Sequence, residues 1–268
     1  MKQRTFQLAV YGLLTGLLLG CQSHSVQQQV STSKPATQTV LVSAAASLQD
    51  VLAKTDLLFE QSHPGLKVNH NFGASGALQQ QIEQGAPSDV FISAGKKQLD
   101  ALQSKGLVVV QTRHNLLTNR LVLIVPTRSP LRLQGFQDLT DPKVKKIAVG
   151  EPKSVPAGQY TNELFKNLGI LDQLKQKQVF SNSVRGVLAA VESGNVDAGV
   201  VYGTDAKISG QVRAIATASA SLHSPIVYPV AVLKNSQNIE SAKAYVQFLS
   251  SPLAQRMFQD AGFGVAFP

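Results

Sequence analysis

From residue 39 onward, short apolar runs alternate with amphipathic stretches, a pattern typical of α/β folds with a mostly parallel sheet. The predicted strands are residues 39–42, 67–72, 89–92, 120–125, 146–149, 197–201 and 226–233. The predicted helices, in which apolar residues recur every three or four positions, are 48–61, 78–83, 96–103, 159–168, 184–191, 242–249 and 253–261. The chain is therefore predicted to be built from repeated strand–helix units.

The N-terminal residues follow a different pattern. Lys2 and Arg4 precede an apolar run at residues 6–19, and a glycine stands directly before Cys21. The run is short for a membrane-spanning helix, and the glycine–cysteine step resembles the lipobox of bacterial lipoproteins. We predict a lipoprotein signal peptide at 1–20 and lipidation of Cys21, with an ordinary cleaved signal as the alternative.

A segment poor in large apolar residues follows the predicted signal. Residues 21–38 are rich in Gln, Ser and Thr, and such a composition buries too little apolar surface to fold alone. We predict a flexible tether that holds the mature protein at the cell envelope, outside the cytoplasm. Cys21 is the only cysteine, which excludes a disulfide within the chain.

The overall charge narrows the class of partner. The formal net charge is +9 in 268 residues, which favours anions in general. The basic residues are spread thinly, Trp is absent, and no Lys/Arg run is interleaved with aromatic residues, so nucleic-acid binding is not expected. A small anion fits this distribution better.

Small or hydroxyl residues stand where four predicted strands end and a helix follows. The first turn of a helix has unpaired N–H groups and a partial positive charge, so each start can receive an anion. The four segments are residues 44–48, 73–77, 155–158 and 181–185. Strand carboxyl ends line the ligand crevice of open α/β sheets, so we expect these starts to converge.

Each of these residues also has a purely structural interpretation. Ser47 with Asp50 fits a capping box, and helix capping would likewise explain Ser75 and Ser183. Tyr202 ends a strand, and its hydroxyl could point into the crevice or the ring could simply pack in the core. Both interpretations stay open at this point.

In order along the chain, these motifs resemble the molybdate-binding proteins of bacterial ABC transporters. The resemblance covers residues 39–268 and is carried by Ala-Ala-Ala-Ser-Leu, Phe-Gly-Ala-Ser-Gly, Gly-Ala-Pro-Ser-Asp-Val-Phe-Ile-Ser, Val-Pro-Ala-Gly, Val-Arg-Gly and Val-Tyr-Gly. It implies a two-lobed, hinged periplasmic-binding-protein fold of type II. The implied lobes are residues 39–118 with 228–268, and 119–227.

The resemblance further implies a site and a function. Molybdate, or tungstate, would be held by Ser47, Ser75, Ala157, Val184 and Tyr202, and delivered to an ABC permease. The family often has several adjacent serines in the second motif, whereas here Ser75 is its only hydroxyl. We expect a monomer without a cofactor, and the alternative ligand is sulfate or another tetrahedral oxyanion.

Two other classes of function are weaker alternatives. An extracytoplasmic serine hydrolase would need Gly-x-Ser-x-Gly, but Ala77 stands at the last position, and no histidine partner is suggested, so we expect no enzyme. A direct cation site is not expected either, because His63 and His70 lie in a turn and a strand rather than at ligand spacing.

Overall fold

The computed structural model describes residues 37–266. The predicted signal peptide, the lipid anchor on Cys21 and the tether up to residue 36 lie outside the described residues. Within 37–266, no helix combines the length and the apolar character that a membrane crossing requires.

All the predicted strands and helices are present. The strands are β1 (Gln38–Ala45), β2 (Leu66–Gly73), β3 (Val90–Ile92), β4 (His114–Thr118), β5 (Leu121–Pro126), β6 (Ile147–Gly150), β7 (Gln178–Ser181), β8 (Ala198–Tyr202), β9 (Val212–Thr217), β10 (Val227–Val232) and β11 (Gly264–Val265). The helices are α1 (Gln49–Ser62), α2 (Ser75–Glu83), α3 (Lys96–Ser104), α4 (Pro156–Asn167), α5 (Leu171–Leu174), α6 (Val184–Glu192), α7 (Gly203–Lys207), α8 (Ile239–Leu249) and α9 (Pro252–Ala261). The structure thus adds strands β4, β7, β9 and β11 and the short helices α5 and α7 to the predicted elements.

The strands form two separate sheets, and each sheet is the centre of one lobe. The first sheet has the order β11-β4-β10-β3-β1-β2, and the second has the order β7-β6-β8-β5-β9. The chain crosses from the first sheet to the second between β4 and β5 and returns between β9 and β10. The two-lobed α/β fold is therefore confirmed. The lobe boundaries after residues 118 and 227 stay a prediction.

Both sheets are mixed rather than mostly parallel as the strand–helix alternation indicated. In the first, β1 pairs in parallel with β2 and β3, whereas β10 is antiparallel to β3 and β4. In the second, β6 is parallel to β7 and β8, whereas β5 is antiparallel to β8 and β9. The physical reason is the two crossings. A helical crossover between two strands of one sheet imposes parallel pairing. Strands β5 and β10 enter their sheets from the other lobe instead, so they are free to pair antiparallel.

The cores of the lobes contain the most continuously apolar strands. Every residue of β10 is buried, as are the first five of β5, because helices cover both faces of the central strands. The predicted stripe on α6 is also buried, with Val187 and Val191 at 0% exposure. These rigid layers hold the carboxyl ends of the strands, where the loops lead into the helices.

Candidate functional site

A small cavity lies between the lobes, where strand ends and helix starts of both sheets meet. It contains about 210 Å³ of empty space, part of it open to solvent. Its lining consists of Ala45, Ala46, Ser47, Gly73, Ala74, Ser75, Ala94, Val155, Pro156, Ala157, Val184 and Tyr202. All five residues predicted to hold the ligand therefore face one cavity.

Three helices direct backbone N–H groups at this cavity from their first turns. Helix α4 makes its first internal bond from Gln159 N–H to Val155 C=O, so the N–H of Ala157 precedes the helical ladder. The N–H groups of Ser75 and Val184 occupy the first position of α2 and α6 in the same way. An anion in the cavity would meet these donors together with the positive ends of the helix dipoles.

Gly158, next to Ala157, allows close packing of helix α4 against strand β6. A Cβ atom at Gly158 would lie 2.1 Å from the carbonyl oxygen of Gly150, a distance that real contacts never reach. The missing side chain therefore lets the first turn of α4 sit directly on the end of β6. This close approach fixes the position of the neighbouring Ala157.

The capping interpretation holds for only one of the three serines. The Ser183 side chain accepts a 3.1 Å hydrogen bond from Gly186 N–H and caps α6. Ser47 makes no capping bond, and its hydroxyl lies 2.9 Å from the Tyr228 hydroxyl. Ser75 also makes no cap; instead its Oγ accepts from Ala94 N–H at 2.9 Å, which leaves its hydrogen free to be donated elsewhere.

Tyr202 is both a core residue and a cavity residue. The side chain is 1% exposed, and its hydroxyl lies 3.5 Å from the carbonyl oxygen of Ala94 in the opposite lobe. Burial, followed by the neighbouring Tyr228, raises the pKa of this phenol well above its ordinary value. The hydroxyl therefore keeps its proton at neutral pH and can act as a donor.

Charged groups lie behind the cavity wall. Among the described residues, those that line the cavity carry no charged side chain. Next to Val184, however, Arg185 pairs with Asp50 of the first lobe, and its Nε lies 2.8 Å from Asp205 Oδ1 of the second. Burial raises the pKa of Asp205 to about 6, against the opposing effect of Arg185. This guanidinium thus joins the two lobes.

Two further contacts join the lobes beside the cavity. The N–H of Gly76 donates to the carbonyl oxygen of Ser154 at 2.9 Å. The Gln98 amide lies 3.4 Å from that of Gln159, at the limit of a hydrogen bond. The structure is accordingly a closed one, with the lobes in contact around the cavity.

Comparisons with known proteins agree with this architecture. The family of bacterial extracellular solute-binding proteins matches residues 40–264. The chain belongs to this family. YvgL of Bacillus subtilis strain 168, named as a candidate ABC transporter substrate-binding lipoprotein, is 40% identical over 252 residues, or 93% of this chain and 95% of YvgL.

Molybdate-binding proteins are also among the relatives of this solute-binding protein. The molybdate-binding protein ModA of Haemophilus influenzae is 37% identical over 227 residues, 84% of this chain and 89% of ModA. Among solved structures, the substrate binding domain of a candidate molybdenum ABC transporter from Clostridium difficile is 45% identical. It superposes with a TM-score of 0.67 and covers 85% of this chain and 99% of its own. The resemblance found in the sequence is confirmed.

Sequence reasoning missed two residues that contact the cavity residues. Ala94 provides an N–H to Ser75 and faces Tyr202, yet it carries no polar side chain that could mark it. A weak signal existed, since Ser93-Ala94-Gly95 also stands between a strand and a helix. Tyr228 lies within an apolar strand, where its hydroxyl gave no sign of a partner 181 positions away in the sequence.

The geometry also bears on the two alternative chemistries. In the described hydrogen bonds, Ser75 Oγ is paired with a backbone N–H rather than with a histidine. Within residues 37–266, no group of three His, Cys, Asp or Glu side chains is arranged to hold a metal ion. His63 stacks on Phe59, and His70 stacks on Phe72.

Proposed function

We propose that this solute-binding protein captures molybdate, or tungstate, between its lobes and delivers the ion to an ABC permease. The observation that carries the proposal is the convergence of Ser47, Ser75, Ala157, Val184 and Tyr202 on one cavity. In this site, the two serines bind through hydroxyl and backbone, Ala157 and Val184 bind through N–H, and Tyr202 binds through its phenol. The molybdate-binding proteins among the relatives support the choice of ligand.

A neutral, donor-rich cavity suits a fully ionised tetrahedral dianion. Preorganised dipoles from several helix starts replace the hydration shell of the ion without a counter-charge. A phosphate that still carries a proton needs an acceptor, and a buried O–H without one costs about 1–3 kcal/mol. The cavity therefore discriminates against protonated phosphate through its chemistry. Sulfate lacks this handicap and has to be rejected by size, so it is the second candidate ligand.

The same proposal covers location and partners. A lipid on Cys21 and the tether at 21–38 would keep the protein at the outer face of a membrane, near its permease. Closure of the lobes around the ion would present the form that the permease recognises. We propose a monomer that acts by binding alone, with no catalytic step, no cofactor and no nucleic-acid partner.

Thermal unfolding in the presence of four oxyanions tests the ligand. At one hundred times its dissociation constant, a ligand raises the free energy of unfolding by about 2.7 kcal/mol. We expect stabilisation by molybdate and tungstate and little by sulfate or phosphate at equal concentration. Stabilisation by sulfate without an effect of molybdate would reverse the choice of ligand. Ester hydrolysis by the purified protein would contradict a pure binding role.

A further inference from the structure

The cavity hydroxyl of Ser47 belongs to a chain of side chains that begins at the crossing between the lobes. We propose that Asn119 and Tyr228 are positioning residues, which orient the Ser47 hydroxyl so that its hydrogen points to the anion. The inference rests on the proposed function, because it assumes that Ser47 contacts the bound ion. It adds two residues whose side chains lie outside the cavity lining to the determinants of anion specificity.

The orientation of the Asn119 amide is fixed by its neighbours. Its Oδ1 accepts a hydrogen bond from Arg120 N–H at 2.9 Å, so the NH₂ group must face the opposite side. There, Nδ2 donates to Thr204 Oγ1 at 3.0 Å and to the Tyr228 hydroxyl at 3.3 Å. Both amide hydrogens are thus used, and Tyr228 is an acceptor in this contact.

The direction of the bond between Tyr228 and Ser47 is the central step of the proposal. Tyr228 is 0% exposed, and burial raises the pKa of its phenol, so the hydroxyl stays protonated. One lone pair of its oxygen accepts from Asn119, and its own hydrogen can be donated to Ser47 Oγ, 2.9 Å away; we assign this direction to the bond. Consecutive bonds of this kind polarise one another in the same direction.

Ser47 therefore receives one hydrogen bond from behind and retains its hydrogen for the cavity. Ser75 has the same arrangement, because its Oγ accepts from Ala94 N–H. A hydroxyl that already accepts a hydrogen bond is a better donor and a poorer acceptor. The chain from Asn119 to Ser47 thus makes the cavity reject ions that carry a proton and favour those that only accept.

A double-mutant cycle separates this role from simple packing. We would measure dissociation constants for molybdate and for phosphate by calorimetry at pH 8 for wild type, Tyr228→Phe, Ser47→Ala and the double variant. Tyr228→Phe should weaken molybdate binding roughly tenfold, as for one oriented hydrogen bond. In the Ser47→Ala background, the same change should alter the affinity less than about twofold, because the group being oriented is gone. Tyr245→Phe, a buried tyrosine that bonds to Asp56 away from the cavity, is the matched control.

Reversing the direction of the hydrogen bonds from Asn119 through Tyr228 to Ser47 gives a second, independent readout. In Asn119→Asp, the carboxylate accepts the Tyr228 hydrogen, Tyr228 accepts from Ser47, and the Ser47 oxygen turns to the cavity as an acceptor. The ratio of molybdate to phosphate affinity should fall several-fold. Because both ions are predominantly dianions at pH 8, the added charge repels them alike and largely cancels from this ratio. Circular dichroism and thermal unfolding would establish that each variant is folded. If Tyr228→Phe does not fold, Asn119→Asp carries the test alone.

The outcomes distinguish this inference from the proposed function. Equal losses from Tyr228→Phe with and without Ser47, or an unchanged affinity ratio in Asn119→Asp, would overturn the positioning role. If Ser47→Ala keeps full affinity for molybdate, Asn119 and Tyr228 have no ligand-binding hydroxyl to orient. The inference then fails, although the proposed function stands. Absence of molybdate binding by the wild-type protein would overturn the proposed function and the inference together.

Discussion

The backbone N–H of Gly76 donates a 2.9 Å hydrogen bond to the carbonyl oxygen of Ser154, and this bond connects the two lobes beside the cavity. A Cβ atom at position 76 would lie 2.6 Å from that oxygen and 2.8 Å from the Ser154 Cα. Both neighbours are backbone atoms, so a side chain at 76 would hold the lobes apart.

Gly76→Ala should therefore weaken molybdate binding by at least about tenfold, the equivalent of 1.4 kcal/mol. Position 76 lies in the first turn of α2, where alanine is a better helix former than glycine, so the ligand-free protein should lose no stability. Calorimetry and thermal unfolding measure the two effects separately. Gly210→Ala, with open space around the added Cβ, is the control. Full affinity in Gly76→Ala would show that closure tolerates a side chain there.

The hydroxyl of Tyr202 is the only side-chain donor that the proposed site takes from the second lobe. Tyr202→Phe keeps the buried ring and removes the hydroxyl, so the expected loss of molybdate affinity is roughly 1–3 kcal/mol. Unfolding without ligand should change little, since the hydrogen bond from the hydroxyl to Ala94 C=O is long, at 3.5 Å. Tyr245→Phe should leave affinity intact. An unchanged affinity in Tyr202→Phe would remove the phenol from the site.

The sequence allowed most of the central elements to be predicted, but strands β4, β7, β9 and β11 were missed. Apolar runs revealed β5, β8 and β10, which are buried on both faces. Strands β7 and β9 were missed because they are the two edge strands of the second sheet. Most of their residues are half-buried or exposed, so no continuous apolar run marks them. Their positions follow from pairing with distant strands, which a local pattern does not contain.

The same limit applies to the site. Small residues before helix starts predicted which four segments would meet, and the resemblance to molybdate-binding proteins implied the five positions, all of which line one cavity. The local pattern could not determine what holds each side chain. The sequence suggested that Ser47 caps a helix, yet its hydrogen-bond partner is Tyr228. Tyr228 lies in β10, with which the chain returns to the first sheet after passing through the second lobe. Hydrogen bonds between residues that the two crossings separate in the sequence are determined by tertiary structure alone.

A buried carboxyl away from the cavity predicts a specific pH dependence of stability. Asp56 of α1 accepts a 2.7 Å hydrogen bond from the Tyr245 hydroxyl, and its Oδ2 lies 3.5 Å from His70 Nε2. Burial, against the opposing effect of Tyr245 and with a smaller contribution from the nearby Glu60, raises the pKa of Asp56 to about 7. Since the folded-state pKa exceeds the ordinary 3.8, stability from this group is full below about pH 4. It is lost as the pH rises through about 7.

Asp56→Asn should therefore stabilise the protein at pH 8 by on the order of 2–4 kcal/mol, since one pKa unit equals about 1.4 kcal/mol. The amide copies the shape of the neutral carboxyl and can still accept from Tyr245. The gain should fall to less than half by pH 5. Burial lowers the pKa of His70 to about 4, so His70 opposes folding below about pH 6.5. At pH 5 and at pH 8 His70 is therefore mostly neutral in the folded state, so its contribution largely cancels and the difference between the two proteins reports on Asp56. Denaturant unfolding at both pH values measures this difference, and a gain independent of pH would contradict the assignment.

Arg185 links ligand contact to lobe contact, because it follows Val184 directly and pairs with Asp50 across the lobes. Its second partner, Asp205, is fully buried, so removal of the guanidinium would leave a buried carboxylate unpaired and destabilise the fold by about 3–5 kcal/mol. Asp50 is about half exposed, and its loss spares the pair with Asp205. Asp50→Asn is therefore the variant that tests the cross-lobe contact alone.

Asp50→Asn has two effects on anion affinity, and they are opposite in sign, so the direction of the measured change decides between them. Removal of a negative charge strengthens the attraction of any anion to the site, whereas loss of a closing contact weakens binding. We expect the contact to prevail, with molybdate affinity reduced by about 0.2–1 kcal/mol at low salt, the range for exposed ion pairs. The difference should disappear near 1 M NaCl, where the screening length is about 3 Å. Glu240→Gln, which removes an exposed ion pair with Lys243 within one helix, should have no effect. Tighter binding in Asp50→Asn would mean that Arg185 acts on the anion through its field and not through closure of the lobes.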